Sequence, residues 1–296
     1  MQKKFMPLII AAGLIIGLFG ALFLVFISRA PVILVADASF AALYGRGRLE
    51  AVRSSVLLFR PVKPITMADD AGSDLVISAV IARSQRPYCV LFPLRFAEAA
   101  RYYAQQFPDT PVILMEGRNE PRSRVPEGIL TVQTDIETDF FMAGVFASII
   151  DGAKHGRVAV FTDTALAGMA NQAFLHGFND PQNAPAFYSS FAQLSSFNDI
   201  SCVVIAGAGA EFFQVNIQIP VIFFTWLYPI FTPARTVVIF DDSPWAQLIP
   251  SVKMVSAGKN NIKIPSKTLI FSSRIADMGI LRSLKKAAKS GIAPVR

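Results

Sequence analysis

The dominant pattern along the chain is a series of short apolar runs that are rich in β-branched residues. Uninterrupted apolar runs of this length are typical of strands that are buried on both faces, as in a parallel sheet. The sequence therefore predicts strands at 32–36, 55–59, 75–80, 89–92, 112–115, 128–132, 157–161, 202–206, 221–224 and 236–240.

Helical patterns, with apolar residues three and four positions apart, lie between several of these runs. They predict helices at 96–107, 140–150 and 166–178. Alternating strands and helices predict an α/β chain with a doubly wound architecture, large enough for one domain or two lobes. Ligands in such folds bind at the carboxyl ends of the strands, so polar residues just past those ends are candidate site residues.

The N-terminus has a pattern of its own, in which two lysines precede an uncharged run at 5–28 that Arg29 closes. The run covers the ~20 residues that cross ~30 Å of hydrocarbon, and it exceeds the usual ~7–15-residue core of a signal peptide. Pro31 disfavours cleavage at the small-x-small site before it, and the absence of a nearby cysteine excludes a lipid-attached N-terminus. We expect residues 1–30 to form an uncleaved inner-membrane anchor with the body outside the cytoplasm. A cleaved signal peptide, which would also export the body, and a buried core helix are the alternatives.

Composition narrows the class of protein. The 296 residues are 53% hydrophobic and 17% charged, which excludes an intrinsically disordered chain. The net charge of +7 is concentrated at the ends, with +3 in residues 1–29 and +5 in residues 274–296, so the body carries −1. A near-neutral body is a poor nucleic-acid platform. Two cysteines and two histidines exclude a disulfide scaffold and a Cys-rich zinc protein, and we expect no metal and no cofactor.

Several short motifs follow the predicted strands in a fixed order. They are Asp37-Ala38-Ser39-Phe40 after the first strand, Phe107-Pro108-Asp109 at a helix end, Phe141-Met142-Ala143-Gly144 at a helix start, and Gly156-Arg157-Val158 followed by Phe174-x2-Gly177-Phe178. In this order they resemble the basic membrane protein family, the nucleoside-receptor-like branch of the type I periplasmic binding proteins. The resemblance covers roughly residues 32–180.

The resemblance implies the domain organisation. We expect two doubly wound α/β lobes with parallel sheets, of the type I periplasmic-binding-protein kind, preceded by one N-terminal hydrophobic helix. Lobe 1 would comprise 31–133 with part of 228–296, and lobe 2 would comprise 134–227. The chain would cross between the lobes near 133–137 and again after the late strands.

The resemblance also implies the function. We expect an exported substrate-binding protein, not an enzyme, that captures a nucleoside or a sugar-like small molecule in an interlobe cleft. An ABC-type permease or a sensor partner would recognise the closed, loaded form. The candidate ligand-binding residues are Asp37, Ser39, Phe40, Asp135, Phe161, Trp226 and Asp241. Their carboxylates could accept hydrogen bonds from ribose hydroxyls, and their rings could stack on a base.

Alternatives stay open at these residues. The family's late strand ends in an Asp-x-Asp-Gln-like element, whereas here Trp226 follows one late strand and Asp241 the next. Asp37 and Asp135 could instead cap helices, and Phe40 could belong to the core. A degenerate family member that acts as a partner or signalling module is a second interpretation. An exported α/β enzyme that uses paired carboxylates is a third.

Overall fold

A computed structural model describes most of the chain. The described residues are 6–38, 47–117, 128–152, 156–162, 167–180, 183–194, 198–206, 219–224, 235–258, 262–275 and 277–290. The helices are α1 (Met6–Ser28), α2 (Gly47–Leu58), α3 (Ser73–Arg83), α4 (Ala97–Gln106), α5 (Ile136–Gly152), α6 (Ala167–Phe178), α7 (Pro244–Ser256) and α8 (Met278–Ser290). The strands are β1 (Val32–Asp37), β2 (Val62–Met67), β3 (Cys89–Pro93), β4 (Val112–Gly117), β5 (Ile129–Thr134), β6 (Arg157–Thr162), β7 (Ala186–Tyr188), β8 (Ile200–Ala206), β9 (Val221–Phe224), β10 (Thr236–Asp241), β11 (Ile262–Ile264) and β12 (Lys267–Ile270).

The described strands form two six-stranded sheets. The first sheet has the order β11-β5-β4-β3-β1-β2, and the second has the order β12-β10-β9-β8-β6-β7. In the first sheet β1 is parallel to β2 and β3, and β3 is parallel to β4. In the second sheet the run from β7 through β6, β8 and β9 to β10 is parallel, and β12 joins β10 antiparallel. The predicted α/β fold with parallel sheets is confirmed.

The chain divides into two compact units. Unit 1 comprises Met1–Glu116, Pro121–Val132 and Leu248–Asn261, and unit 2 comprises Gly117–Glu120, Gln133–Gln247 and Ile262–Arg296. Apart from the short segment 117–120, the chain therefore passes between the units after Val132, after Gln247 and after Asn261.

Each unit has its own buried core. In unit 1, α3 and α4 cover one face of the first sheet, where Ile33, Val90 and Val112 pack against Val76 and Tyr103. In unit 2, α5, α6 and α8 cover one face of the second sheet through a cluster rich in phenylalanine rings. Every residue of β8 is buried, which explains why such strands occur in the sequence as continuous apolar runs.

Two predicted strands are wrong. Segment 55–59 belongs mostly to α2, and segment 75–80 lies inside α3. Both are β-branched apolar runs, but α3 buries only Val76, Ile77 and Val80, which is a helical spacing. The strand missed beside them, β2, contains Lys63 and Pro64. Among the described strands it pairs only with β1, at the end of the sheet order, a position where a proline without an N–H is tolerated.

The predicted N-terminal helix is α1. Its side chains are described from Leu14 onward, and most of these are exposed apolar groups, with Phe19 at 68% exposure. Among the residues whose side chains are described, no helix has the length and hydropathy that a membrane crossing requires.

Candidate functional site

Asp37 is the last residue of β1, at the carboxyl edge of the first sheet, and its side chain is half-buried. This is the edge at which open α/β sheets bind ligands. Ser39 and Phe40, predicted beside it, lie outside the described residues, and so does Trp226.

Asp135 follows β5 and caps α5. Its Oδ1 accepts a hydrogen bond from the backbone N–H of Thr138 at 3.2 Å, and its Oδ2 accepts one from the Thr138 hydroxyl at 2.9 Å. The capping role left open by the sequence is thus present, because the carboxylate satisfies an N–H group that the first turn of the helix leaves without a partner.

A second aspartate, Asp139, lies one turn further along α5 and is buried, with 1% of its surface exposed. Its Oδ1 accepts a 2.8 Å hydrogen bond from the Ser266 N–H, and its Oδ2 accepts a 2.5 Å hydrogen bond from the Ser266 hydroxyl. These bonds fix the turn between β11 and β12 against α5. The backbone N–H of Asp135 donates to the carbonyl of Ile264 at 2.9 Å and joins the same two segments.

Burial has the largest effect on the pKa of the Asp139 carboxyl. It raises the pKa of the Asp139 carboxyl to about 8, because the charged form would lose its hydration. The two donors of Ser266 lower the pKa, whereas the nearby charges of Asp242 and Asp135 raise it. Asp139 is therefore mainly protonated at neutral pH, and it can hold a proton without contact to solvent.

The network extends to α7. The Gln247 side-chain amide donates to the Thr134 hydroxyl at 3.0 Å, and that hydroxyl donates to Asp242 Oδ2 at 3.4 Å. Thr134, Gln247 and Ser266 each lie within five residues of a point where the chain passes between the units. Hydrogen bonds within unit 2 thus join the three connecting segments to one another.

Asp241 ends β10 and is half-buried. Its Oδ1 accepts a 3.0 Å hydrogen bond from the N–H of Ser243, and the Ser243 hydroxyl accepts one from Ala246 at 3.3 Å. Asp241 therefore shapes the turn into α7 at the carboxyl edge of the second sheet.

Phe161, the remaining candidate, lies inside unit 2. Its ring is completely buried and stacks on Tyr188, with 5.3 Å between ring centroids. In this position the ring packs in the core on the face of the second sheet opposite α5.

A different polar cluster lies at the amino edge of the second sheet. The buried carboxylate of Asp151 accepts hydrogen bonds from the Gly156 N–H, the Asn183 amide and the Ser201 hydroxyl. A surface hollow of about 730 Å³ adjoins it. Because its lining includes the first residues of β6 and β8, Arg157 and Ile200, it is at the end of the sheet opposite the usual ligand site.

The two cysteines form no disulfide, and both are buried, as the apolar strands around them indicate. Burial raises the pKa of the Cys89 thiol to about 12. Within the described ranges, no group of three or more His, Cys, Asp or Glu side chains is arranged to hold a metal ion.

The sequence did not identify Asp139, Ser266 or Gln247. One signal was available for Asp139, since Asp135 and Asp139 are spaced i, i+4 at the start of an otherwise apolar helix. Ser266 and Gln247 lie more than a hundred residues away in the chain, and nothing in the local pattern links them to α5.

The comparisons with known proteins show the fold. No protein family model matches the chain, and no curated protein matches it. An ABC transporter solute-binding protein from Conexibacter woesei has a TM-score of 0.58 at 11% identity, covering 90% of this chain and 99% of its own. A transcriptional activator of the comK gene from Bacillus halodurans has a TM-score of 0.60 at 13% identity, and the match covers 90% of this chain and 100% of that one. An arabinose-binding protein from Geobacillus stearothermophilus has a TM-score of 0.54 at 12% identity, and the match covers 81% of this chain and 96% of that one.

The chain has a periplasmic-binding-protein-like fold. The two sheets with interleaved helices are the basis of this likeness. At these identities the likeness concerns the fold, and function has to be argued from the site.

Proposed function

We propose that the chain is an exported solute-binding protein that captures a small hydroxylated molecule at the carboxyl ends of its strands. The observation that carries this proposal is the position of Asp37 and Asp241. Each is a half-buried carboxylate at the end of a parallel strand, one in each unit. Carboxylates at such ends can accept hydrogen bonds from ligand hydroxyls, and this edge is where the fold class binds ligands.

The ligand class rests on two supports. The motif resemblance favours a nucleoside, whereas one similar structure is named an arabinose-binding protein, which favours a sugar. Both ligands present vicinal hydroxyls to a carboxylate, and only the nucleoside adds a base. We propose the nucleoside as ligand, delivered to an ABC-type permease or read by a sensor partner, with no chemical step.

A thermal-shift screen of the full chain in detergent, against nucleosides, bases, pentoses and hexoses, tests this function. A ligand at ~100 times its Kd adds ~2.7 kcal/mol of stability and raises Tm by a few degrees. The shift should disappear in Asp37→Ala and persist in Asp109→Ala, an exposed aspartate just before β4 at the opposite edge of the first sheet. If only pentoses or hexoses raised Tm, the proposed ligand would be a sugar and not a nucleoside. If no compound in the screen raised Tm, the binding function would be rejected.

A second candidate function is a partner or signalling module without a ligand. One structure of this fold, at a TM-score of 0.60, is named a transcriptional activator. The use of Asp135 as a helix cap and the burial of Phe161 agree with this candidate, because both side chains already have structural partners. The same screen separates the two functions.

We also propose that α1 anchors the body to the outer face of the inner membrane. The uncharged run at 5–28 and the apolar side chains exposed along α1 support this proposal. Flotation of the full chain with liposomes, resistant to alkaline carbonate, is the expected result. An N-terminus beginning after Ala30 in protein from cells would show cleavage instead.

A further inference from the structure

The amino edge of the first sheet, in unit 1, lies directly beside the end of α1. Strands β1, β2, β3 and β4 are parallel, so all of them begin at this edge. Only residues 29–31 separate Ser28, the last residue of α1, from Val32, the first residue of β1. Three residues span at most ~10 Å, so the edge cannot move far from the end of the helix.

This edge is basic. Arg29, Arg60 and Arg86 precede β1, β2 and β3, Lys63 lies at the start of β2, and Arg83 ends α3. We call these five residues the basic edge. None of them forms an ion pair with a carboxylate of the described residues, whose ion pairs in unit 1 are Arg53–Glu50 and Arg95–Asp69. The connections that lead into β1, β2, β3 and β4 at this edge contain one acidic residue, Asp109, which lies before β4.

Aromatic rings hold part of the basic edge against α1. The ring of Phe59 lies 6.0 Å from the ring of Phe26 in α1. The Arg29 guanidinium lies over the Phe59 ring, 4.7 Å from its centroid. The Arg60 guanidinium lies 3.9 Å above the ring of Tyr88 and donates to the carbonyl of Ala30 at 3.4 Å. Arginines among aromatic rings at the end of an apolar helix are typical of the membrane–water interface.

The backbone at Phe59 supports a specific role for this arrangement. Phe59 has φ of 49°, a left-handed conformation that a residue with a large side chain rarely adopts. It ends α2 with a bond from the Arg60 N–H to the carbonyl of Ser55, a motif that usually has glycine at this position. A phenylalanine here places its ring on Phe26 and Arg29, which glycine could not do.

We propose that the basic edge lies on the anionic phospholipid headgroups next to α1 and sets the orientation of unit 1 on the membrane. This inference rests on the anchoring by α1 proposed above. The attraction acts over a Debye length of ~8 Å at physiological salt, and the three-residue connection keeps the edge within about that distance. The carboxyl ends of the strands, with Asp37, then lie ~20 Å further from the lipid, at the other end of β1.

The exposed cations of α8 are the competing lipid contact. Arg282, Lys285, Lys286 and Lys289 share one face of that helix, opposite the buried Leu281 and Leu284. They belong to unit 2 and have no short covalent connection to α1, so they serve as the matched control.

The experiment places a fluorophore on a single introduced cysteine of the full chain, reconstituted in nanodiscs. The native thiols of Cys89 and Cys202 are buried and should not react in the folded protein. Gln85→Cys puts the probe on an exposed residue of the amino edge, between Arg83 and Arg86. Ala68→Cys puts it on an exposed residue just past β2, at the carboxyl edge of the same sheet. Quenching by headgroup-labelled lipid is measured with and without phosphatidylglycerol.

We expect the Gln85→Cys probe to be quenched severalfold more than the Ala68→Cys probe in discs that contain phosphatidylglycerol. High salt or the added changes Arg83→Gln and Arg86→Gln should reduce this difference to the part that the covalent connection to α1 maintains, whereas Lys285→Gln with Lys286→Gln should leave it unchanged. A difference that neither high salt nor the arginine changes reduce would overturn the inference. Equal quenching at both probes, or a loss caused only by the α8 changes, would overturn the inference while leaving the anchor intact. A chain that fails to enter the discs would overturn the anchor and this inference together.

Discussion

Gly144 of α5 and Gly177 of α6 each lie against the backbone of the other helix. A methyl group on Gly144 would overlap the carbonyl oxygen of Phe174, and one on Gly177 would overlap that of Phe141. The two helices therefore cross with their backbones in contact, which only a residue without a side chain permits. Both glycines belong to the motifs that carry the family resemblance, so these two motifs mark a helix crossing.

Gly144→Ala should destabilise the protein. The methyl group would meet backbone atoms, which cannot rotate away, so the helices must separate and the core of unit 2 must repack. Overpacking of this kind costs about 1–3 kcal/mol. Urea unfolding followed by circular dichroism would measure the loss.

Gly168→Ala, in the first turn of α6, is the matched control, because nothing lies within 4 Å of its added methyl group. It should be neutral or add up to ~1 kcal/mol, as alanine favours helix over glycine. If both variants had the stability of the wild type, the close crossing of α5 and α6 would be incorrect.

Much of the fold could be predicted because its strands are buried on both faces. Runs such as Val221–Phe224 are apolar at every position, a pattern that polar loops do not produce. The same criterion failed where a helix presents apolar residues to solvent. In α2 the side chains of Leu49, Val52 and Val56 are exposed and the buried face is formed by Ala51, Ser54 and Ser55, so the apolar stripe of this helix does not coincide with its buried face.

The candidate site was only partly predictable, for a different reason. Asp37 and Asp241 could be located because their position depends on a strand end that the sequence reveals. The bond from Ser266 to Asp139 joins residues 127 positions apart, and their pairing depends on the path of the chain between the units. Local pattern contains no information on such a contact, so Asp139 could not be assigned a partner in advance.

The two roles open to Asp135 can be separated by substitution. Asp135→Ser keeps an oxygen that can accept the Thr138 N–H and should retain most of the stability, whereas Asp135→Ala should lose ~1 kcal/mol with the cap. If the carboxylate also contacts the ligand, both variants lose the ligand-induced thermal shift.

Calorimetric unfolding of the two variants with and without ligand provides the comparison. Binding that survives in Asp135→Ser would assign the residue to the cap alone. Equal stability of the serine and alanine variants would contradict the capping role.

The two native thiols should be inert in the folded protein. Cys89 and Cys202 have no exposed surface, and the raised pKa of Cys89 keeps its thiol protonated, so neither can offer an accessible thiolate. Titration with a thiol-reactive disulfide should release no chromophore at pH 8 and two equivalents in denaturant, from the two cysteines of the chain. Rapid reaction of one thiol without denaturant would show that its strand is accessible to solvent.

Stability should fall as the pH rises toward 8. The folded pKa of Asp139, about 8, lies above the ordinary value of 3.8, so the folded state binds more protons than the unfolded state between these values. The free energy of unfolding then decreases with pH across this window, by at most ~1.4 kcal/mol per pH unit, and this contribution is constant above it.

Asp139→Asn should remove this dependence. At pH 5 the asparagine side-chain oxygen can accept the hydrogen bond that the Ser266 N–H donates to Asp139, and its NH2 group can donate to the Ser266 hydroxyl oxygen, so the variant should match the wild type within ~1 kcal/mol. At pH 9 the wild type has to bury a charge next to Asp242 and Asp135, and the variant should be clearly more stable.

Urea unfolding at both pH values gives the two differences in the free energy of unfolding. Val203→Ala is the control, a core variant that loses stability but keeps the wild-type dependence on pH. An identical slope in Asp139→Asn and wild type would mean that Asp139 is ionised in the folded protein at neutral pH.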